Sequence, residues 1–209
     1  MAANPLAKAP GDCPYAVFTV IPQGWSVLLG MLYLVQPALF LQAFRQHLIR
    51  SAAHLGVVLE GQLFVALHGA YDPATQTFPL HLHGLARGGM IPIVGGLRNL
   101  RKYRPAQRGD GRDAANTPVR ISVGPLSNMP DPLTYILKRY WPQRETYVDE
   151  NGVRKAYGGK QKSINGPAYT EYLQFLDRWR LEDLTMLMGM HATREGIIIR
   201  YVPGIIYTN

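Results

Sequence analysis

The sequence predicts an α+β fold: an antiparallel sheet with helices packed on it, followed by a small helical C-terminal appendage. Three observations predict it. Short aromatic and β-branched runs bounded by Gly, Pro and Asp recur through the first half of the chain. Two of these runs flank the turn-like Asp72-Pro73-Ala74-Thr75, which makes them an antiparallel hairpin. The order strand, helix, strand, strand, helix, strand, helix then places helices against that sheet.

Taken in order, residues 1–14 mix Ala, Pro and Gly and read as a flexible lead. Tyr15 to Ile21 is a buried strand closed by Pro22 and Gly24. A helix starts near Pro37, which suits the first turn, with Phe40, Phe44, Leu48 and Leu55 on its apolar stripe, and Gly56 ends it. His47 and His54 fall on its solvent side. Strands follow over Val57–Ala70 and Phe78–Ala86, then a short helix over Val94–Tyr103, a basic loop over Arg104–Asn116, and a strand over Pro118–Val123. Asp131-Pro132 begins the next helix, with the acid capping free amides and Leu133, Ile136, Leu137 and Tyr140 forming one stripe. Tyr135, Lys138 and Arg139 lie off that stripe. The expected domain thus covers residues 15–142, and residues 143–166 are a basic hairpin (Thr146–Tyr157) and loop. Residues 167–209 are the appendage, one or two helices over 167–190 and a strand over Gly196–Val202.

Composition narrows the function. With 209 residues, 47% hydrophobic and 17% charged, the chain can bury a core and lacks the signature of intrinsic disorder. One cysteine, Cys13, excludes an internal disulfide and fits a reducing compartment. The net charge of +8 is concentrated: residues 98–162 hold fourteen Lys and Arg against six Asp and Glu. A concentrated positive field favours a polyanion such as nucleic acid. No charged residue occurs between Asp12 and Arg45, a length able to span a bilayer, but Gln36-Pro37 and Gln23-Gly24 interrupt it. A buried strand and helix explain it, and no stable membrane association is expected.

The residues most informative about chemistry are His81-Leu82-His83 on the third strand. Alternation sends both imidazoles to one face and Leu82 to the other, a spacing that can share a divalent metal or make a hydrogen-bonded histidine pair. His68, near the end of the preceding strand, comes back beside them through the hairpin. Tyr135 has Lys138 one turn on, a phenol with a nearby cation. A phenol attacks phosphate only when a metal polarises the phosphate and a cation offsets developing charge.

The order Phe18-Thr19 strand, His81-Leu82-His83 strand, Tyr135-X-X-Lys138 helix resembles the HUH endonucleases, which comprise rolling-circle replication initiators, relaxases and single-strand transposases. The Ala66-Leu67-His68-Gly69 segment before the hairpin is similar to rolling-circle insertion-sequence transposases and plasmid initiators. The resemblance implies a HUH/Rep-like sandwich in which His81 and His83, with His68, hold Mg²⁺ or Mn²⁺ on a scissile phosphate. It implies attack by Tyr135, a 5′-phosphotyrosine, a freed 3′-OH, and assistance from Lys138. It also implies a single-stranded or hairpin DNA substrate, a helicase or host replication machinery as partner, and a cytoplasmic place at a prokaryotic nucleoid or plasmid.

The chain departs from those families in having no cysteine-rich zinc-binding segment and no Gly-X-X-X-X-Gly-Lys-Ser/Thr run of a helicase. Tyr140, five residues from Tyr135 and on the apolar stripe, is assigned to packing, which leaves one nucleophile. Arg98, Arg101, Lys102, Arg104 and Arg139 are the expected phosphate contacts, with Tyr103, Tyr147, Tyr157 and Trp141 available for base stacking. The competing reading is a non-catalytic DNA-binding protein on a degenerate version of the same fold. A two-histidine phosphodiesterase needs paired His-X-Thr/Ser repeats, which the sequence lacks.

Overall fold

The computed structural model describes residues 14–105, 117–124, 136–137, 140–150, 152, 154–156, 162–193 and 196–199. Its centre is an antiparallel sheet built from β1 (Tyr15–Val20), β3 (Gln62–Gly69), β4 (Thr77–Arg87), β5 (Val119–Gly124) and β10 (Thr185–Met188), in the order β10-β3-β4-β1-β5. A short β2 (Ser26–Leu28) pairs with the start of β4.

The hairpin β3–β4 forms where the sequence predicts it. Asp72 closes the turn, its buried carboxylate accepting from the Ala74 amide and from the hydroxyls of Thr75 and Thr146. The register sets His68 opposite His81 and Ala66 opposite His83. Because residues alternate, Leu80 and Leu82 enter the opposite face together with Leu63, Val65 and Leu67 of β3 and Phe18 and Val20 of β1.

Helix α1 (Pro37–Leu55) covers this apolar face. Pro37 sits in its first turn, Leu41, Phe44, Leu48 and Ala52 form the buried stripe, and Gly56 closes it in the left-handed region at φ 65°. Phe18 stacks on Phe44 with ring centroids 6.4 Å apart, occupying the space above Gly84, where any side chain would collide with the Phe18 ring. Helix α2 (Met90–Gly96) and two single 3₁₀ turns ending at Tyr103 replace the one helix expected over Val94–Tyr103, and they pack in the same layer as α1.

His47, expected to face solvent, is instead buried at 7% exposure, with its Nδ1 and the Tyr103 hydroxyl sharing a hydrogen bond of 2.8 Å. Burial, reinforced by the charges of Lys102 and Arg50, pushes the imidazole down to about 4. The unfolded chain takes up this proton near pH 6.5 and the native state only near 4, so protonation favours unfolding between those values. Stability is therefore full above pH 6.5 and falls toward pH 4, by on the order of 2 kcal/mol from this residue after allowance for solvent screening. Urea midpoints followed from about pH 7.5 to about pH 4.5 are expected to fall, and to fall less steeply in His47→Gln.

The C-terminal part differs from the expected helical appendage. Helix α3 (Gly166–Arg178) is present, with Tyr172 and Phe175 packed on Trp141 at 5.4 and 5.2 Å. After it, however, residues 185–188 form β10, which pairs with β3 and extends the central sheet. The remaining strands are short pairs: β6 (Pro142–Gln143) with β9 (Lys162–Ser163), the expected basic hairpin β7 (Thr146–Val148) with β8 (Arg154–Ala156), and β11 (Met190–Thr193) with β12 (Gly196–Ile199). No helix among the described residues is long and apolar enough to cross a membrane.

Candidate active site

The face of the sheet opposite α1 carries the three histidines predicted to converge, and they do. Ring centroids lie 4.8 Å apart for His68 and His83, 4.9 Å for His81 and His83, and 6.1 Å for His68 and His81. All three are buried. The apolar remainder of this face is a small cluster of Ala66, Leu85 and Ile136, with Val17 and Phe64 against it. Ile136, in this cluster, is next in sequence to Tyr135.

Each ring is anchored by a different partner. His81 Nδ1 donates to the Pro79 carbonyl at 3.3 Å, which leaves the lone pair on Nε2. His83 Nδ1 shares a hydrogen bond of 2.8 Å with Thr19 Oγ1. His68 donates from Nε2 to the Ile136 carbonyl at 2.6 Å. Phe18-Thr19 therefore works as a unit: Phe18 anchors β1 in the core, and alternation turns Thr19 to the site.

Burial, followed by the mutual influence of the neighbouring imidazoles, holds His81 well below the ordinary histidine range. The same causes, joined by the charges of Arg144 and Arg120, push His83 down to about 3. Both are neutral at physiological pH. That is the protonation state a metal ligand needs, and an imidazole fixed through its Nδ1 is in the usual posture for coordination through Nε2. The donor chemistry of His81 and His83 thus fits a shared divalent cation. His68 donates from Nε2 to the Ile136 carbonyl, which leaves Nδ1 as the acceptor nitrogen of that ring. Among the described residues, no group of three or more His, Cys, Asp or Glu is arranged to hold a metal ion.

Other expected residues divide. Tyr135, Lys138, Arg139 and Tyr157 lie outside the described residues. Arg98, Arg101, Lys102 and Arg104 belong to the layer of α1 and α2, on the opposite face from the histidines; Arg98 is tied by Nη2 to the Val119 carbonyl at 3.2 Å. Tyr103 and Trp141, expected to stack on bases, are fully buried in the core at 0% and 2% exposure and cannot do so. Tyr147 is exposed on β7. Tyr140, assigned to packing, directs its hydroxyl to the Lys162 carbonyl and Ser163 Oγ and so ties its segment to β9.

The charge run does not single out Arg120 and Arg144, the two arginines whose fields reach the imidazoles. For Arg120 a signal exists: alternation on Val119–Gly124 puts it on the face opposite Val119. For Arg144, whose backbone N–H donates to the Tyr71 carbonyl, local sequence holds no signal. No family model, curated protein or solved structure matches the chain.

Proposed function

We propose that the protein is a metal-dependent endonuclease that nicks and rejoins single-stranded DNA through a 5′-phosphotyrosine, in the manner of HUH enzymes serving rolling-circle replication or transposition. One observation carries this reading: neutral, buried His81 and His83 lie side by side on the sheet face that also receives Ile136, the neighbour of Tyr135.

Mg²⁺ or Mn²⁺ held by His81 and His83 would supply Lewis-acid polarisation of the scissile phosphate. Thr19 and the Pro79 carbonyl fix the two rings so that no reorientation is needed when the strand arrives. His68 supports the backbone at Ile136 and so positions the segment that delivers the phenol. Tyr135 Oη forms the new bond to phosphorus, and the bond from phosphorus to the 3′ oxygen breaks. The phenolic proton is given up and the departing oxygen ends as a 3′-OH. Lys138 offsets negative charge during the transfer. The bond energy is kept in the phosphotyrosine, so attack by a 3′-OH reverses the step without ATP.

The products test this reading. Incubation of labelled single-stranded DNA with the protein and Mn²⁺ is expected to give one fragment that a polymerase extends from its 3′ end, and a second that stays with the protein in denaturant. Two freely migrating fragments would mean hydrolysis without a tyrosine intermediate.

That no group of three or more His, Cys, Asp or Glu among the described residues is arranged to hold a metal ion favours a second reading, a DNA-binding protein on a degenerate site. It predicts retention of single-stranded DNA with no fragment formed under any divalent cation.

A further inference from the structure

The sheet register places four residues along one rung of the imidazole face. Ala66 of β3 pairs with His83 of β4, His83 with Thr19 of β1, and Thr19 with Arg120 of β5. Neighbouring strands lie about 4.8 Å apart, so Arg120 and His83 are separated by two strand widths, roughly 10 Å between backbones. An arginine side chain spans much of that distance. Arg120 is exposed on an edge strand of the sheet. Arg144 enters from the segment beside Tyr71, where its amide donates to the Tyr71 carbonyl at 2.7 Å.

Among the described residues, Thr19, Arg120 and Arg144 face the imidazoles of His68, His81 and His83, and no carboxylate pairs with either arginine. Among the described residues, this face therefore presents guanidinium charge with no carboxylate paired to it, which makes it electropositive. Such a site attracts an oxyanion, and guanidinium groups match phosphate oxygens by geometry and charge.

We propose that Arg120 and Arg144 form the anion-binding wall of the imidazole site and that the anion is a phosphodiester group of single-stranded DNA. The choice of DNA rests on the nicking reading; the anion-binding wall itself does not. The arginines that contact the strand at the site are thus these two, while the Arg98–Arg104 run sits in the opposite layer.

Fluorescence anisotropy of a fluorescein-labelled oligothymidylate with the whole protein, in EDTA and across a range of NaCl, tests the proposal without requiring cleavage. Arg120→Gln is expected to bind roughly tenfold more weakly and to lower the slope of log K against log salt by about 0.7. Arg120→Lys should keep the slope. Arg45→Gln, an exposed position on α1 in the opposite layer, should match wild type. Far-ultraviolet circular dichroism and thermal unfolding of each variant establish that the fold is kept. Unchanged affinity and slope in Arg120→Gln, or an equal loss in Arg45→Gln, would overturn the assignment. If wild type forms no DNA adduct yet Arg120→Gln loses binding and slope as described, the nicking reading fails and the anion site stands. If wild type forms the adduct and Arg120→Gln binds unaltered, the anion site fails and the nicking reading stands.

Discussion

Replacing His83 with alanine is expected to slow covalent capture of single-stranded DNA about a thousandfold, the scale of losing metal and preorganised charge stabilisation from a phosphoryl-transfer site. The fold should survive, because His83 projects away from the α1 core, and losing its hydrogen bond to Thr19 costs about 1 kcal/mol. Thr19→Val gives an intermediate result. It leaves the imidazole in place but frees its rotation, and loss of such an orienting partner costs about 10- to 100-fold. The graded order, with Thr19→Val between wild type and His83→Ala, is measured as adduct formed per unit time at fixed Mn²⁺. Equal rates in all three proteins would mean that the histidine face takes no part. Direct binding of DNA in EDTA should change little in either variant, which separates catalysis from retention.

Phe18→Ala is expected to have the largest effect on stability. Phe18 is 1% exposed, fills the space above Gly84 and stacks on Phe44. Removing a fully buried phenyl costs about 3–5 kcal/mol through lost transfer energy and the cavity left behind. For a chain of this size that corresponds to a fall of roughly 10 °C in Tm. Urea unfolding should show a lower midpoint with an unchanged slope. A larger side chain at Gly84 cannot fill the space, because it would also meet the Phe64 backbone carbonyl. The consequence reaches the site, since Phe18 is the anchor that aligns Thr19 with His83. Leu39→Ala, at an exposed position on α1, should leave the midpoint nearly unchanged.

Much of the arrangement is legible in the sequence because it depends on local periodicity. The period of two on β4 separates Leu80 and Leu82 from His81 and His83, and the Asp72 turn folds His68 back beside them. Pro37 and Gly56 mark the ends of α1 through their own backbone preferences. Less local features are not legible. Leu-Glu-Asp-Leu-Thr-Met-Leu-Met over 181–188 is rich in helix formers, yet residues 185–188 pair with β3, because an available sheet edge outweighs weak intrinsic preference. His47 lies at the border of the α1 stripe, and what buries it is Tyr103, far along the chain. The positive segment 98–162 is a property of the chain, whereas the site depends on layers. Its members Arg98 to Arg104 fall behind the sheet while Arg120 falls in front, a distinction charge counting cannot make.

If the histidine face serves Tyr135 as nucleophile, the DNA is joined to that residue. The most direct measurement is peptide mapping of the denaturant-resistant complex formed with Mn²⁺ and a library of origin-like hairpin oligonucleotides. The account predicts a single DNA-bearing peptide containing Tyr135, and no complex with Tyr135→Phe. Absence of a complex with every member of the library, or an undiminished complex with Tyr135→Phe, would contradict it.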